Sequence, residues 1–326
     1  MLRKFLLKQA NTYLEIIIMR ISKRSQAEFG MLFVAFIWGT TFVLVKNALA
    51  DISPFTFLGL RFLIAFAILG ILAYRDMKQI NLPTILAGSL LGLFLFFGYI
   101  FQTIGLQYTT SSNAGFITGL SVVLVPIIYA VFAKTWPEIK TIITVIIAAF
   151  GLFLLSFQSN SLHLAYGDFL VLFCAFAFAF HIVFVDRLSH QYNAVAITGV
   201  QILFVGLLCM VIGLFVEPWP EHFTTNAVSA ILITAVFATA LAFLLQNSMQ
   251  KHSTPIRFAL ILTMEPVFAA LAGFLWADEM LSARAMVGAA FILVAMLFSI
   301  LAGKKEDLQT GNIKRLHHCS DNTREI

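Results

Sequence analysis

Ten apolar stretches follow one another between residues 29 and 302, with only short polar gaps between them. Crossing a hydrocarbon core of about 30 Å takes roughly 20 helical residues. The runs at 84–106 and 282–302 have that length. Strands of a membrane barrel would be about half as long and would alternate polar with apolar residues, which these runs do not. The fold class is therefore an all-α membrane protein of ten transmembrane helices. The expected spans are 29–49, 54–74, 84–106, 112–133, 140–157, 167–186, 195–216, 227–250, 255–276 and 282–302.

Composition agrees, because a chain of 326 residues that is 60% hydrophobic and 11% charged has too little polar surface for a soluble globule. Its net charge of +5 comes from Lys and Arg scattered over loops and tails. No basic groove forms, and nucleic acid is not an expected partner. Instead, the charge is topogenic. Of the 21 Lys and Arg, 18 fall on one side of the membrane, leaving Lys46, Arg61 and Arg284 toward the other. The positive-inside rule then places both termini in the cytoplasm of a multi-pass protein of the cell membrane, plasma or inner. Residues 1–24 fit either an interfacial amphipathic helix or a stretch preceding a true start at Met19. Cys174 and Cys209 lie in apolar runs and Cys319 in the tail, so no disulfide framework or zinc site is expected, and no cofactor.

A shift of 140 residues brings the halves into register: Ala35-Phe36 falls on Ala175-Phe176, Pro126 on Pro266, Trp136 on Trp276 and Glu138 on Asp278. One further residue of slip aligns Ala148-Ala149-Phe150 with Ala289-Ala290-Phe291. Each copy holds five helices, an odd number, so the second enters the membrane from the opposite side and the repeats are inverted. The expected organisation is a cytoplasmic segment at 1–28, a first five-helix repeat at 29–157, an external linker at 158–166, a second repeat at 167–302 and a cytoplasmic tail at 303–326.

Several short motifs recur in this frame. The first helix carries Trp38-Gly39 and closes with Lys46; Leu60-Arg61-Phe62 follows early in the second; Tyr108-Thr109-Thr110-Ser111-Ser112-Asn113-Ala114 leads into the fourth. The second half has Gly167-Asp168, Glu265-Pro266 and Trp276-Ala277-Asp278-Glu279. In order and spacing the chain resembles the drug/metabolite transporter superfamily, specifically its EamA-type ten-helix carriers. That resemblance implies a secondary carrier of small metabolites, with exporters of amino acids and related compounds among its relatives.

Polar side chains inside the membrane mark helix contacts or a wet cavity. Trp38, Thr41 and Val45 share one face of the first helix. Ser89, Gly92, Phe96, Tyr99, Gln102 and Thr103 form a stripe on the third, matched by Thr239, Phe243, Gln246 and Asn247 on the eighth. Threonine hydroxyls are expected to bond their own backbone. Trp38, Tyr99, Gln102, Asn113, His181, Gln246 and Asn247 are the expected substrate contacts, between helices one, three, four, six, eight and nine. Glu265 falls near the bilayer midplane, where a charge costs roughly 2.5 to 3.5 kcal/mol or more. It is either a proton carrier, coupling transport to a proton gradient, or a structural group bonding the backbone that Pro266 frees. His181 is either a titrating gate or a side chain satisfied by a neighbouring helix. Lys46 and Arg61 either snorkel or attract an anionic group, and Arg61, about seven residues into its helix, is the better candidate for the second. Pro126 and Pro266 should interrupt their helices at matched positions. Helices five and ten, nearly free of polar residues, are expected to face lipid or a second copy in a homodimer.

The sequence offers no clustered His and Asp, no Ser-His pair and no Gly-rich phosphate loop, which argues against an enzyme and an ATP-driven pump. Alternating access by a carrier is the expected mechanism. A passive facilitator or channel is the alternative, and a membrane-embedded scaffold or receptor ranks below it.

Overall fold

The computed structural model describes residues 23–78, 80–156, 166–276 and 282–301. The expectations for the two tails, for most of the 158–166 linker and for Asp278 and Glu279 fall outside them. Among the described residues the chain forms ten long helices and no strand. They are α1 (Lys23–Ala48), α2 (Pro54–Leu72), α3 (Leu82–Tyr108), α4 (Ser111–Ala133), α5 (Ile139–Ser156), α6 (Tyr166–Ser189), α7 (Ala194–Val216), α8 (Thr225–His252), α9 (Pro255–Trp276) and α10 (Ala283–Leu301). All except the shorter α5 are both long and apolar enough to cross a bilayer.

Local chemistry sets the helix starts. The side chains of Asn81, Thr110, Asn193 and Thr224 accept from backbone N–H groups of the first turns of α3, α4, α7 and α8, satisfying donors that lipid would leave bare. The start of α2 is capped from elsewhere. Glu217, at the end of α7, accepts from the N–H groups of Phe55 and Thr56 and from the Thr56 hydroxyl, each at 2.9 Å. At the opposite end of the same helix pair Asn193 donates to Asp76.

Packing repeats between the halves: α1 lies on α9 as α6 lies on α4, and α3 lies on α6 and α7 as α8 lies on α1 and α2. Helices α2 and α7, equivalent in the two repeats, pack on each other. Glycines set the closest approaches. A Cβ on Gly39 would sit 2.4 Å from the Glu265 carbonyl oxygen, and one on Gly119 would sit 3.0 Å from the Pro266 ring. Thus α1, α4 and α9 meet near the centre of the bundle.

Three features depart from expectation. Helices α5 and α10 pack on each other, a pairing absent from the expectation that they face lipid or a second copy. Gly151 and Gly288 bring their backbones together, and the Phe150 and Phe291 rings meet at 5.4 Å. Phe153, Met286 and Val287 remain on their exposed faces. Helix α4 is interrupted at Leu120 and α9 at Thr263. The second interruption lies one turn before Pro266, whose ring displaces the carbonyl four residues back, whereas Pro126 lies inside the continuous segment Ser121–Ala133. Finally, α8 is π-helical over Thr234–Leu241.

Candidate functional site

At the centre of the bundle lies a cavity with about 790 Å³ of atom-free space, its mouth included. Helix α1 presents Trp38, Thr41, Phe42 and Val45 to it, one face at i, i+3, i+4 and i+7. Helix α3 presents Leu95, Tyr99, Gln102, Thr103 and Leu106. Arg61 enters from α2, Thr118 and Ser121 flank the interruption of α4, and Glu265 follows that of α9. Phe178 and His181 on α6, with Phe243 and Gln246 on α8, complete the wall.

The aromatic rings interlock. Tyr99 meets Phe62 and Phe178 edge-on at 5.2 Å, and Trp38 lies 5.4 Å from Phe243. Such pairs hold one another at fixed angles and give the cavity rigid apolar walls.

The π-helical turn supplies the polar anchor on the α8 side. The Ala242 N–H turns to the Phe237 and Thr239 carbonyls rather than to Ala238. The Ala238 carbonyl accepts from Trp38 Nε1 at 2.9 Å and from Arg61 Nη2 at 3.3 Å. Arg61 Nε donates to Thr239 Oγ1 at 2.7 Å. One irregular turn therefore orients two cavity-lining side chains from two other helices, a use to which π turns in membrane helices lend themselves.

Of the expected substrate contacts, Trp38, Tyr99, Gln102, His181 and Gln246 line this cavity, together with Arg61 and Glu265. Asn113 and Asn247 lie outside its lining. Asn113 is half-buried in the first turn of α4, where its backbone N–H donates to Thr110. Asn247 is fully buried and donates to Thr198 of α7 at 2.7 Å, a bond between helices. Lys46 donates to the Thr109 carbonyl at 2.8 Å, near the end of α3.

His181 lies within hydrogen-bond distance, 3.1 Å, of the Gln201 side chain of α7. Gln102 donates to Thr118 at 3.0 Å. Glu265 behaves otherwise: among the described residues its carboxyl has no hydrogen-bond or ion-pair partner, and no bond to the backbone around Pro266. It sits in the first turn of the Met264–Trp276 half-helix, whose N-terminal dipole favours negative charge. No group of three or more His, Cys, Asp or Glu able to hold a metal occurs among the described residues.

At the end of the bundle where α1 begins and α8 finishes, fully buried amides close the structure. Gln250 donates to the Ile182 carbonyl of α6, Gln246 donates to Gln250, and Asn247 is bonded to α7. Toward the far end the lining runs out to Val45 and Leu106, each within one turn of the end of its helix.

A ten-helix bundle of two inverted repeats around a shared, largely apolar cavity with a few polar groups matches the architecture of inverted-repeat membrane transporters. The model of the EamA-like transporter family matches residues 25–157 and again 165–301, and the chain belongs to that family. An uncharacterized transporter of Archaeoglobus fulgidus is 37% identical over 276 residues, covering 84% of this chain and 86% of its own. The transporter YvbV of Bacillus subtilis is 24% identical, over 81% and 88% respectively. A solved crystal structure superposes with a TM-score of 0.71 at 18% identity, covering 86% of this chain and 99% of that one, a likeness of fold.

Proposed function

We propose that this transporter is a secondary-active carrier that exports amino acids or related small metabolites by alternating access. The observation that carries the reading is the central cavity. It draws side chains from both repeats and is walled by aromatic and amide groups, with buried, hydrogen-bonded amides at the end where α8 finishes. A pore conducting passively would need a continuous wet path, whereas at the end where α8 finishes Asn247 and Gln250 are fully buried and bonded to α7 and α6. Opening that end while closing the other would expose the same residues to the opposite side, as exchange of inverted repeats requires.

The test has two stages. Comparing metabolites that accumulate outside cells with and without overexpression names the substrate. Purified protein in liposomes then shows saturable counterflow of that compound, blocked by cysteine labelling at Trp38, Tyr99 and Gln246 positions in a cysteine-free background, with substrate protecting them. Transport that never saturates and shows no counterflow would establish a channel instead.

Orientation belongs to the same proposal. Reporters fused after Lys78, Arg187 and Lys305 should report cytoplasm, and those near Glu221 and Asp278 the outside. The motive is the placement of 18 of 21 basic residues on one side. In that orientation the cluster of buried amides lies at the cytoplasmic end of the bundle. Reversed signals at both ends of the chain would overturn it.

A further inference from the structure

Arg61 brings into the bundle a charge that no carboxylate among the described residues pairs with at ion-pair distance. The residue is 4% exposed and lines the cavity. A guanidinium stays protonated in proteins, so its charge persists wherever it is placed. Burying such a charge is costly unless a counter-charge and hydrogen bonds accompany it. Arg61 has the hydrogen bonds but, among the described residues, no carboxylate within ion-pair distance. Its partners are the Thr239 hydroxyl, the Ala238 carbonyl and the faces of Phe62 and Tyr99, with the Tyr99 ring centre 4.8 Å away. All are neutral groups. Glu265, the other ionisable chain of opposite sign in the same wall, stands beyond 4.0 Å.

We infer that Arg61 is the receptor for an anionic group, carboxylate-like in charge and size, on the ligand that the cavity takes. This rests on the reading of the cavity as the transport site. Two of the five guanidinium N–H donors are committed to α8, which fixes the plane of the fork and leaves the remaining edge for a ligand. The Phe62 and Tyr99 rings packed against it lower the local polarity and so strengthen the attraction for an anion. The π turn matters because it offers Ala238 O and Thr239 Oγ1 to the same side chain. A regular α turn would commit the Ala238 carbonyl to the helix ladder and make it a poorer acceptor for the guanidinium.

The test compares matched pairs of probes that differ in charge alone: 3-phenylpropionate with 3-phenylpropionamide, and hexanoate with hexanamide. Binding is read from tryptophan fluorescence of the full chain in nanodiscs of phosphatidylcholine, which carries no net anionic headgroup, so a response belongs to the soluble anion. The carboxylate of a pair should bind the wild-type protein at least ~10-fold more tightly than its amide, the cost of leaving a buried charge unpaired. Arg61→Gln should erase that ratio while amide binding persists, and Arg61→Lys should keep part of it. Equal binding of carboxylate and amide by the wild-type protein overturns the anion receptor and leaves the cavity as a ligand site. Failure of every probe to bind overturns both together. The wild-type comparison holds even where an Arg61 variant does not fold.

Discussion

Gly39→Val is expected to remove nearly all folded transporter from the membrane, and Gly39→Ala most of it. Gly39 lies where α1 crosses the interruption of α9. A Cβ there would sit 2.4 Å from the Glu265 carbonyl oxygen, 2.6 Å from Phe268 Cβ and 3.0 Å from the Ala269 nitrogen. Two of these are backbone atoms, with no flexible side-chain end to swing away. Overpacking a fitted core costs about 1 to 3 kcal/mol or more, and displacing a helix backbone lies at the upper end. Any separation of α1 from α9 also pulls Trp38 from Ala238 and shifts Glu265, so surviving protein should transport poorly. Gly70→Ala is the control. Nothing lies within 4 Å of a Cβ there, so only the gain in helix propensity acts, worth about 0.5 to 1 kcal/mol in favour. Size-exclusion profiles and melting temperatures of fluorescently tagged variants measure both effects. A Gly39→Val protein with wild-type yield and melting temperature would show that α1 does not pack on α9 in this way.

The helices were legible because their signal is long and redundant. A run such as Leu82–Tyr108 leaves no alternative once its length and lack of charge are seen, and the sequence-expected ends of most helices lie within a few residues of the observed ones. The duplication was legible from a few paired residues, since a constant offset is hard to produce by chance. What escaped is geometry without a compositional mark. Thr234–Leu241 reads as an ordinary apolar helix, and its π turn arises from the demands of Trp38 and Arg61, which belong to distant parts of the chain. Gln201 and Thr198 lie on an otherwise apolar α7, and the bond of Gln201 to His181 depends on how α6 meets α7. The sequence places Asn247 with Gln246 in one polar stripe of the eighth helix. About 100° of helical turn separates adjacent side chains, which sends one to the cavity and the other to Thr198. The pairing of α5 with α10 had a trace in the matched Ala-Ala-Phe segments, but small residues do not say which helix they admit.

On the reading of Glu265 as the proton carrier, Glu265→Gln is expected to lose proton-gradient-driven transport to background while substrate exchange across the membrane stays within about threefold of wild type. The carboxyl lines the cavity, is 9% exposed and has no partner among the described residues. A carboxyl with no protein bond to break is free to take a proton from whichever side the cavity faces and to give it up on the other. Glutamine keeps the shape of the protonated acid but holds one charge state permanently. It therefore permits the cavity to turn with substrate bound on both sides, yet carries no proton on the return. A structural Glu265 predicts a different pattern: the amide preserves packing and hydrogen-bonding capacity, so both activities persist, or both fall in proportion to folded protein. Exchange and gradient-driven uptake measured on one purified preparation separate these outcomes, because the amount of folded protein cancels in their ratio. Full gradient-driven transport by the variant would remove Glu265 from the coupling path, and another group would have to carry the proton.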